Sequence, residues 1–305
     1  MAPKFRALAI TVTLLALSTA LSQRAVAAPT VIASIAPLHS LVAAVMQGVA
    51  APRLLLRGGE SPHTFSLRPS DARLLHQADV LFWIGPALEL PLARILPNLG
   101  VQRSVAMLEV PGLTLLPVRH LDAQDDAGHA EAVDPHVWLS PTNAMIMADE
   151  IARVLAMVDV PRAALYRSNA ARLKQRLQAL DRDLALQLAN TGGAYAVFHD
   201  AYQYFERHYS LQSAATVTTH AERSPGAAHL HRLRAQLASS DVHCLFSEPQ
   251  FQPRLVAMLS EGLPIRHAVL DPLGAGIPPG PDAYPQLMHD IADRIGTCLH
   301  GGTRP

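Results

Sequence analysis

The sequence predicts an α/β protein of two lobes with parallel sheets, joined by one long helix. Three observations carry that expectation. The chain has 305 residues, half of them hydrophobic, enough for one large or two medium domains at roughly 100–200 residues each. Short apolar runs alternate with helical segments, the rhythm of βα units that build a parallel sheet. Between the two sets of units lies a helical pattern over 161–190 that no Gly or Pro interrupts after its opening Pro161.

The elements follow in order. Residues 31–35 read as a strand and 38–46 as a helix. A strand over 53–56 leads into the Gly58-Gly59 loop, and Pro69-Ser70-Asp71 opens a helix to about Gln77, with proline near its first turn, where it is tolerated. Strands over 80–84 and 104–108 flank a helix over 87–96. Residues 117–135 break the rhythm: His120, Asp122, Asp125, Asp126, His129, Glu131 and Asp134 stand there with little apolar content, which reads as a polar surface loop. A helix over 141–157 precedes the long one. The latter carries apolar residues at Leu165, Leu173, Leu177, Leu180, Leu184 and Leu188, is ended by Gly192-Gly193, and should be about 45 Å long. Strands over 194–198, 213–217, 243–246 and 266–270 then alternate with helices ending at His208, following Pro225, over 251–261 and over 282–299. The expected domains are therefore 28–160, the linking helix 161–190, and 191–305.

Residues 1–27 stand apart. Lys4 and Arg6, a 15-residue apolar run and Ala25-Val26-Ala27 have the layout of a secretory signal peptide cut after Ala27. That run is short of the ~20 residues that span a bilayer, so the expectation is an exported protein without membrane insertion, addressed to the periplasm. Cleavage leaves 22 basic against 25 acidic side chains, a net charge of −3. Such a balance gives no footprint for nucleic acid, and the 16% charged content excludes a disordered chain. Cys244 and Cys298 are the only cysteines. In an oxidising compartment an even count reads as a disulfide, with two buried thiols as the alternative. Closing that loop contributes on the order of 4 kcal/mol in the chain-entropy model.

Among fifteen histidines, position selects a few. His63 lies in the loop after the 53–56 strand, His199 directly after 194–198, and Asp271 directly after 266–270. Ligands of open α/β sheets bind outside the carboxyl ends of strands. His63 and His136 belong to the first half, His199 and Asp271 to the second, so a site built from all four would lie between the lobes. Imidazole nitrogens with a carboxylate suit zinc, at about four ligands. Glu248, after the 243–246 strand, is a candidate base beside a metal, although a structural or surface carboxylate is the reading favoured for it. No HExxH, G-x-S-x-G or Walker motif occurs, so no catalytic constellation accompanies these residues.

At these positions the chain resembles the cluster A-I metal-binding receptors that serve ABC importers, most closely the periplasmic zinc-binding proteins of the ZnuA type. The resemblance rests on Ser34-Ile35-Ala36-Pro37-Leu38, on Ser61-Pro62-His63-Thr64-Phe65-Ser66-Leu67-Arg68-Pro69-Ser70-Asp71, and on Asp134-Pro135-His136-Val137-Trp138-Leu139-Ser140-Pro141. It continues in Phe198-His199-Asp200-Ala201-Tyr202, Ser247-Glu248-Pro249-Gln250-Phe251 and Leu270-Asp271-Pro272-Leu273-Gly274. It implies two pseudo-symmetric lobes joined by a backbone helix, with one metal between them. The family's ligands match His63, His136 and His199, with Asp271 at the fourth position, and its disulfide matches Cys244 and Cys298. Manganese-binding relatives carry a carboxylate where His199 stands, and a third imidazole favours zinc over manganese.

Two departures are visible. Some zinc-binding relatives have a glutamate directly before the first histidine; here Pro62 occupies that place and Glu60 lies three residues upstream of His63. The fourth ligand is thus Asp271, Glu60 or water. The loop that is rich in histidine in many relatives has only His120 and His129 here.

The expected function is a monomeric periplasmic receptor that carries Zn²⁺ to an inner-membrane ABC permease with its cytoplasmic ATPase, without catalysis. The long helix should restrict hinge opening. The alternatives are an exported zinc hydrolase with Glu248 or Asp271 as base, and a manganese receptor or adhesin of the same fold.

Overall fold

A computed structural model describes residues 27–57, 59–119, 132–218, 226–251 and 253–300. The expected signal segment up to residue 26 lies outside these residues, as do His120, His129, Asp122, Asp125, Asp126 and Glu131 of the polar loop. The stems of that loop are paired: Pro117 and Val133 form an antiparallel bridge, and Val118 N–H donates to the Ala132 carbonyl at 2.9 Å.

The first lobe runs β1 (Val31–Ala33), α1 (Ala36–Val45), β2 (Arg53–Leu54), α2 (Pro69–His76), β3 (Val80–Trp83), α3 (Leu90–Ile95), β4 (Ser104–Ala106) and α4 (Pro141–Val158). After the linking helix α5 (Ala163–Leu188), the second runs β5 (Ala194–His199), α6 (Gln203–His208), β6 (Ala215–Thr218), α7 (Ala227–Ser239), β7 (Val242–Ser247), α8 (Pro253–Ser260), β8 (Arg266–Val269) and α9 (Ala283–Leu299). Each lobe holds a four-stranded sheet, β2-β1-β3-β4 and β6-β5-β7-β8, and every pairing is parallel. The second order is the first one repeated. In both, the chain reverses its direction of travel across the sheet between two central strands, β1 and β3 or β5 and β7, and a crevice opens at the carboxyl ends of that pair.

Helix starts follow the prolines. Pro37, Pro69 and Pro141 sit in the first turns of α1, α2 and α4, where a missing N–H costs nothing. Ser140 caps α4, its hydroxyl accepting from Asn143 N–H at 3.3 Å. The helix expected over 87–96 begins at Leu90 instead. Starting at 87 would place Pro91 in the helix interior, where its ring clashes with the preceding turn; at Leu90 it falls in the first turn.

Helix α5 has 26 residues, about 39 Å, preceded by a 3₁₀ turn over Val160–Arg162. Its buried stripe is Tyr166, Asn169, Ala170, Leu173, Leu177, Leu180, Leu184 and Leu188. Leu165, expected on that stripe, is 37% exposed: eight residues before Leu173 it is rotated about 80° away, whereas Tyr166 is in line. The helix packs against α1, α4 and α9, and one hydrophobic core runs through all four. A second core fills the space between the β5–β7 sheet and helices α7 and α8. Cys244 in β7 is disulfide-bonded to Cys298 in the last turn of α9, as the sequence led us to expect. Among the described residues, no helix is long and apolar enough to cross a membrane.

Candidate metal centre

The structure brings three of the nominated side chains together. One ring nitrogen from each of His63, His136 and His199 lies within 4.8 Å of the others, and among the described residues no other group of histidine, cysteine and acidic side chains is so placed. The ring centroids are 5.7 Å apart for His63–His136, 5.4 Å for His63–His199 and 4.9 Å for His136–His199. His199 is the last residue of β5 and keeps the strand register, opposite Thr218, so its backbone is fixed by the sheet. His136 immediately precedes a 3₁₀ turn, Val137–Leu139. His63 is held in a turn by its N–H to the Ser61 hydroxyl at 3.3 Å.

His136 is oriented by Asp134. The Asp134 Oδ1 accepts from both the backbone N–H of His136 at 3.0 Å and its ring Nδ1 at 2.7 Å. A carboxylate partner places the proton on Nδ1 and leaves the Nε2 lone pair free for a metal. Burial, helped by the nearby His199, pushes the His136 pKa well below its ordinary value, so the ring stays neutral and competent to ligate. The ring also lies 5.2 Å from that of Trp138. His199 has the opposite balance. Burial lowers its pKa, but Glu248 above all, with Asp200 and Asp134, outweighs that and raises it. The cluster therefore favours positive charge beside Glu248. Desolvation also pushes Asp134 up to about 7 and Asp200 to about 6.

The cavity bounded by the three imidazoles is also lined by Trp138, Phe251, Pro272 and Leu273, and has a volume of about 10 Å³. That is roughly one water-sized sphere, room for an ion.

The two carboxylates nominated for the fourth position have other partners. Asp271 accepts from Gln250 Nε2 at 3.2 Å, from Leu273 N–H at 2.9 Å and from Ala275 N–H at 2.6 Å, so its carboxylate organises its own loop. Glu60 pairs with Arg68 at 2.7 Å, both partly exposed to solvent. Neither joins the group of three. The structure adds Asp134, read from the sequence only as one more loop acid; its signal was an acid two residues before a nominated histidine.

Comparison with known proteins accords with this geometry. Residues 31–298 match the family model described as ZnuA, zinc-uptake complex component A, periplasmic. A high-affinity zinc uptake system protein ZnuA of Brucella abortus is 39% identical, with 88% of this chain and 91% of that protein covered. Among solved structures, a zinc-bound deletion mutant of ZnuA superposes with a TM-score of 0.75 at 24% identity, covering 91% of this chain and all of that one. The FpvC binding protein of Pseudomonas aeruginosa, in complex with Mn²⁺, superposes at 0.76 and 22% identity, over 90% of this chain and all of that one. These last two establish the likeness of fold. The chain belongs to the ZnuA family of periplasmic zinc-uptake components.

Proposed function

We propose that this protein is a periplasmic receptor that captures Zn²⁺ and delivers it to an inner-membrane ABC importer. The observation that carries the reading is the convergence of three imidazoles on a buried cavity of ionic size. An all-nitrogen set suits zinc, whereas manganese prefers oxygen donors. At Zn–N distances of ~2.0–2.1 Å, tetrahedral nitrogens stand ~3.3 Å apart, so small side-chain adjustments close the present group around an ion. Water, Asp271 or Glu60 supplies the fourth position, the two carboxylates only after leaving their present partners. Residues 1–27 serve as the export signal, 28–160 and 191–305 form the two lobes, and 161–190 link them. The curated relative from Brucella abortus, named for high-affinity zinc uptake, supports the same assignment.

The ion is cargo, and the chemistry is coordination. Protons compete for the same nitrogens, so affinity should fall as pH drops through the pKa of His199, which Glu248 and its neighbouring acids raise above the ordinary imidazole value. The test is metal content and competition titration of the mature protein beside His199→Glu. We expect one tightly held zinc per chain, with preference moving toward manganese in the variant. Absence of bound metal, or tight binding untouched by the substitution, would overturn the reading.

A further inference from the structure

Glu248 stands at a place that the three-histidine group does not explain. Strands β5 and β7 are neighbours, and Val197 pairs with Phe246. Two residues further along the chain come His199, the last residue of β5, and Glu248, one residue past the end of β7. The register of the sheet therefore sets these side chains next to each other at the crevice between the two central strands. Glu248 is 5% exposed and borders the metal cavity. Its Oε1 is 3.4 Å from His199 Nδ1, 0.7 Å further than the corresponding distance from Asp134 to His136. Both Glu248 Oε1 and His199 Nδ1 are buried without a hydrogen-bond partner, an arrangement that is costly unless something completes it.

We propose that Glu248 is the positioning carboxylate of His199: it takes the Nδ1–H of the imidazole when zinc occupies Nε2, and so fixes the ring for coordination. The inference rests on the zinc reading above. A metal on Nε2 polarises the opposite N–H and strengthens it as a donor, drawing the carboxylate across the remaining few tenths of an ångström. Glu248 presents Oε1 to the Nδ1 edge of the ring, so in this role it acts through His199, not as a fourth ligand or as a base for a metal-bound water. The site becomes asymmetric: Asp134 already grips the imidazole of the first lobe, while the carboxylate of the second lobe closes on its partner as the ion seats.

The experiment compares zinc affinity, by competition with a chromophoric chelator, for the wild type, Glu248→Ala and Glu248→Gln. Loss of such an outer partner typically weakens metal binding ~10–100-fold, and that is the expected loss for Glu248→Ala. Glu248→Gln keeps an acceptor oxygen at the same reach and should recover most of it, to within about tenfold of wild type. In zinc-loaded protein labelled at histidine nitrogens, an exchange-protected Nδ1–H signal from His199 is expected beside that of His136, and Glu248→Ala should lose the one from His199 and keep the one from His136. Alanine binding as tightly as wild type, or glutamine binding as weakly as alanine, would overturn the proposal. If Glu248→Ala does not fold, the wild-type spectrum decides, since absence of a protected His199 Nδ1–H in the zinc form overturns it equally. A wild type that takes up no zinc overturns the receptor reading, and this inference with it.

Discussion

At the scale of single residues, Glu89 carries a carboxyl whose chemistry burial moves far from its behaviour in water. It is fully buried, and desolvation pushes its carboxyl from 4.5 up to about 7. It accepts from the Ser34 hydroxyl and from Gly85 N–H at 2.9 Å, tying the carboxyl end of β1 to that of β3. Because the folded state holds this proton more tightly than the unfolded chain, Glu89 contributes fully below about pH 4.5, and that contribution is lost as pH rises towards 7. Glu89→Gln should therefore gain stability relative to wild type on going from pH 4 to pH 8, by on the order of 3 kcal/mol at most. Denaturant unfolding at the two pH values measures this; a mutant–wild-type difference unchanged between them would show that Glu89 does not titrate as described. The contact also accounts for Ser34, which the sequence marks only as the start of a family motif.

At the scale of elements, Asn169 shows how α5 is seated. Its amide donates at 2.8 Å to the carbonyls of both Val45 and Gln47, at the end of α1, where helix carbonyls have no partner of their own. Asn169→Ala removes both donors and leaves buried acceptors unpaired, so we expect a loss of about 1–3 kcal/mol, read as a lower midpoint in urea. A neutral result would mean that water replaces the amide. An asparagine in a helical pattern reads locally as a solvent-facing residue. That Asn169 faces inward depends on where α1 ends, which no local periodicity carries. The same distinction runs through the fold. The βα rhythm, the prolines at helix starts and the unbroken run of α5 were legible because they are local. Leu165 was misplaced because the face of α5 is set by its neighbours, and α3 because Pro91 was passed over as a constraint on its start. In the candidate metal centre, the convergence of His63, His136 and His199 was legible from their places after strands and beside prolines. The engagement of Asp271 by Gln250, Leu273 and Ala275 depends on how one loop folds back on itself, which spacing does not encode.

At the scale of the whole molecule, the lobes are fastened to each other behind the three histidines. Trp138 donates to the Pro272 carbonyl at 2.8 Å, and Tyr284 donates to the Trp138 carbonyl at 2.7 Å. Tyr204 donates to the Asp134 carbonyl at 2.8 Å and accepts from Leu116 N–H at 2.9 Å. Helix α9 reaches back from the second sheet to pack on α1 of the first. Bonds to Asp134 and Trp138 thus brace the segment that presents His136 from the opposite lobe, which supports release by local movement of loops rather than by wide opening.

The tryptophan in that brace has an optical consequence. The chain has two tryptophans, Trp83 in the first sheet and Trp138 with its ring against His136. An imidazole that donates its nitrogen lone pair to a bound cation alters the electric field at the indole beside it. Zinc should therefore change the intrinsic fluorescence of the protein through Trp138. Trp83→Phe should keep that response and Trp138→Phe should lose it; a response that survives Trp138→Phe would mean that the ion acts on the emission from somewhere else. The residue that joins the lobes would then also report, as emitted light, whether the cavity between them is filled.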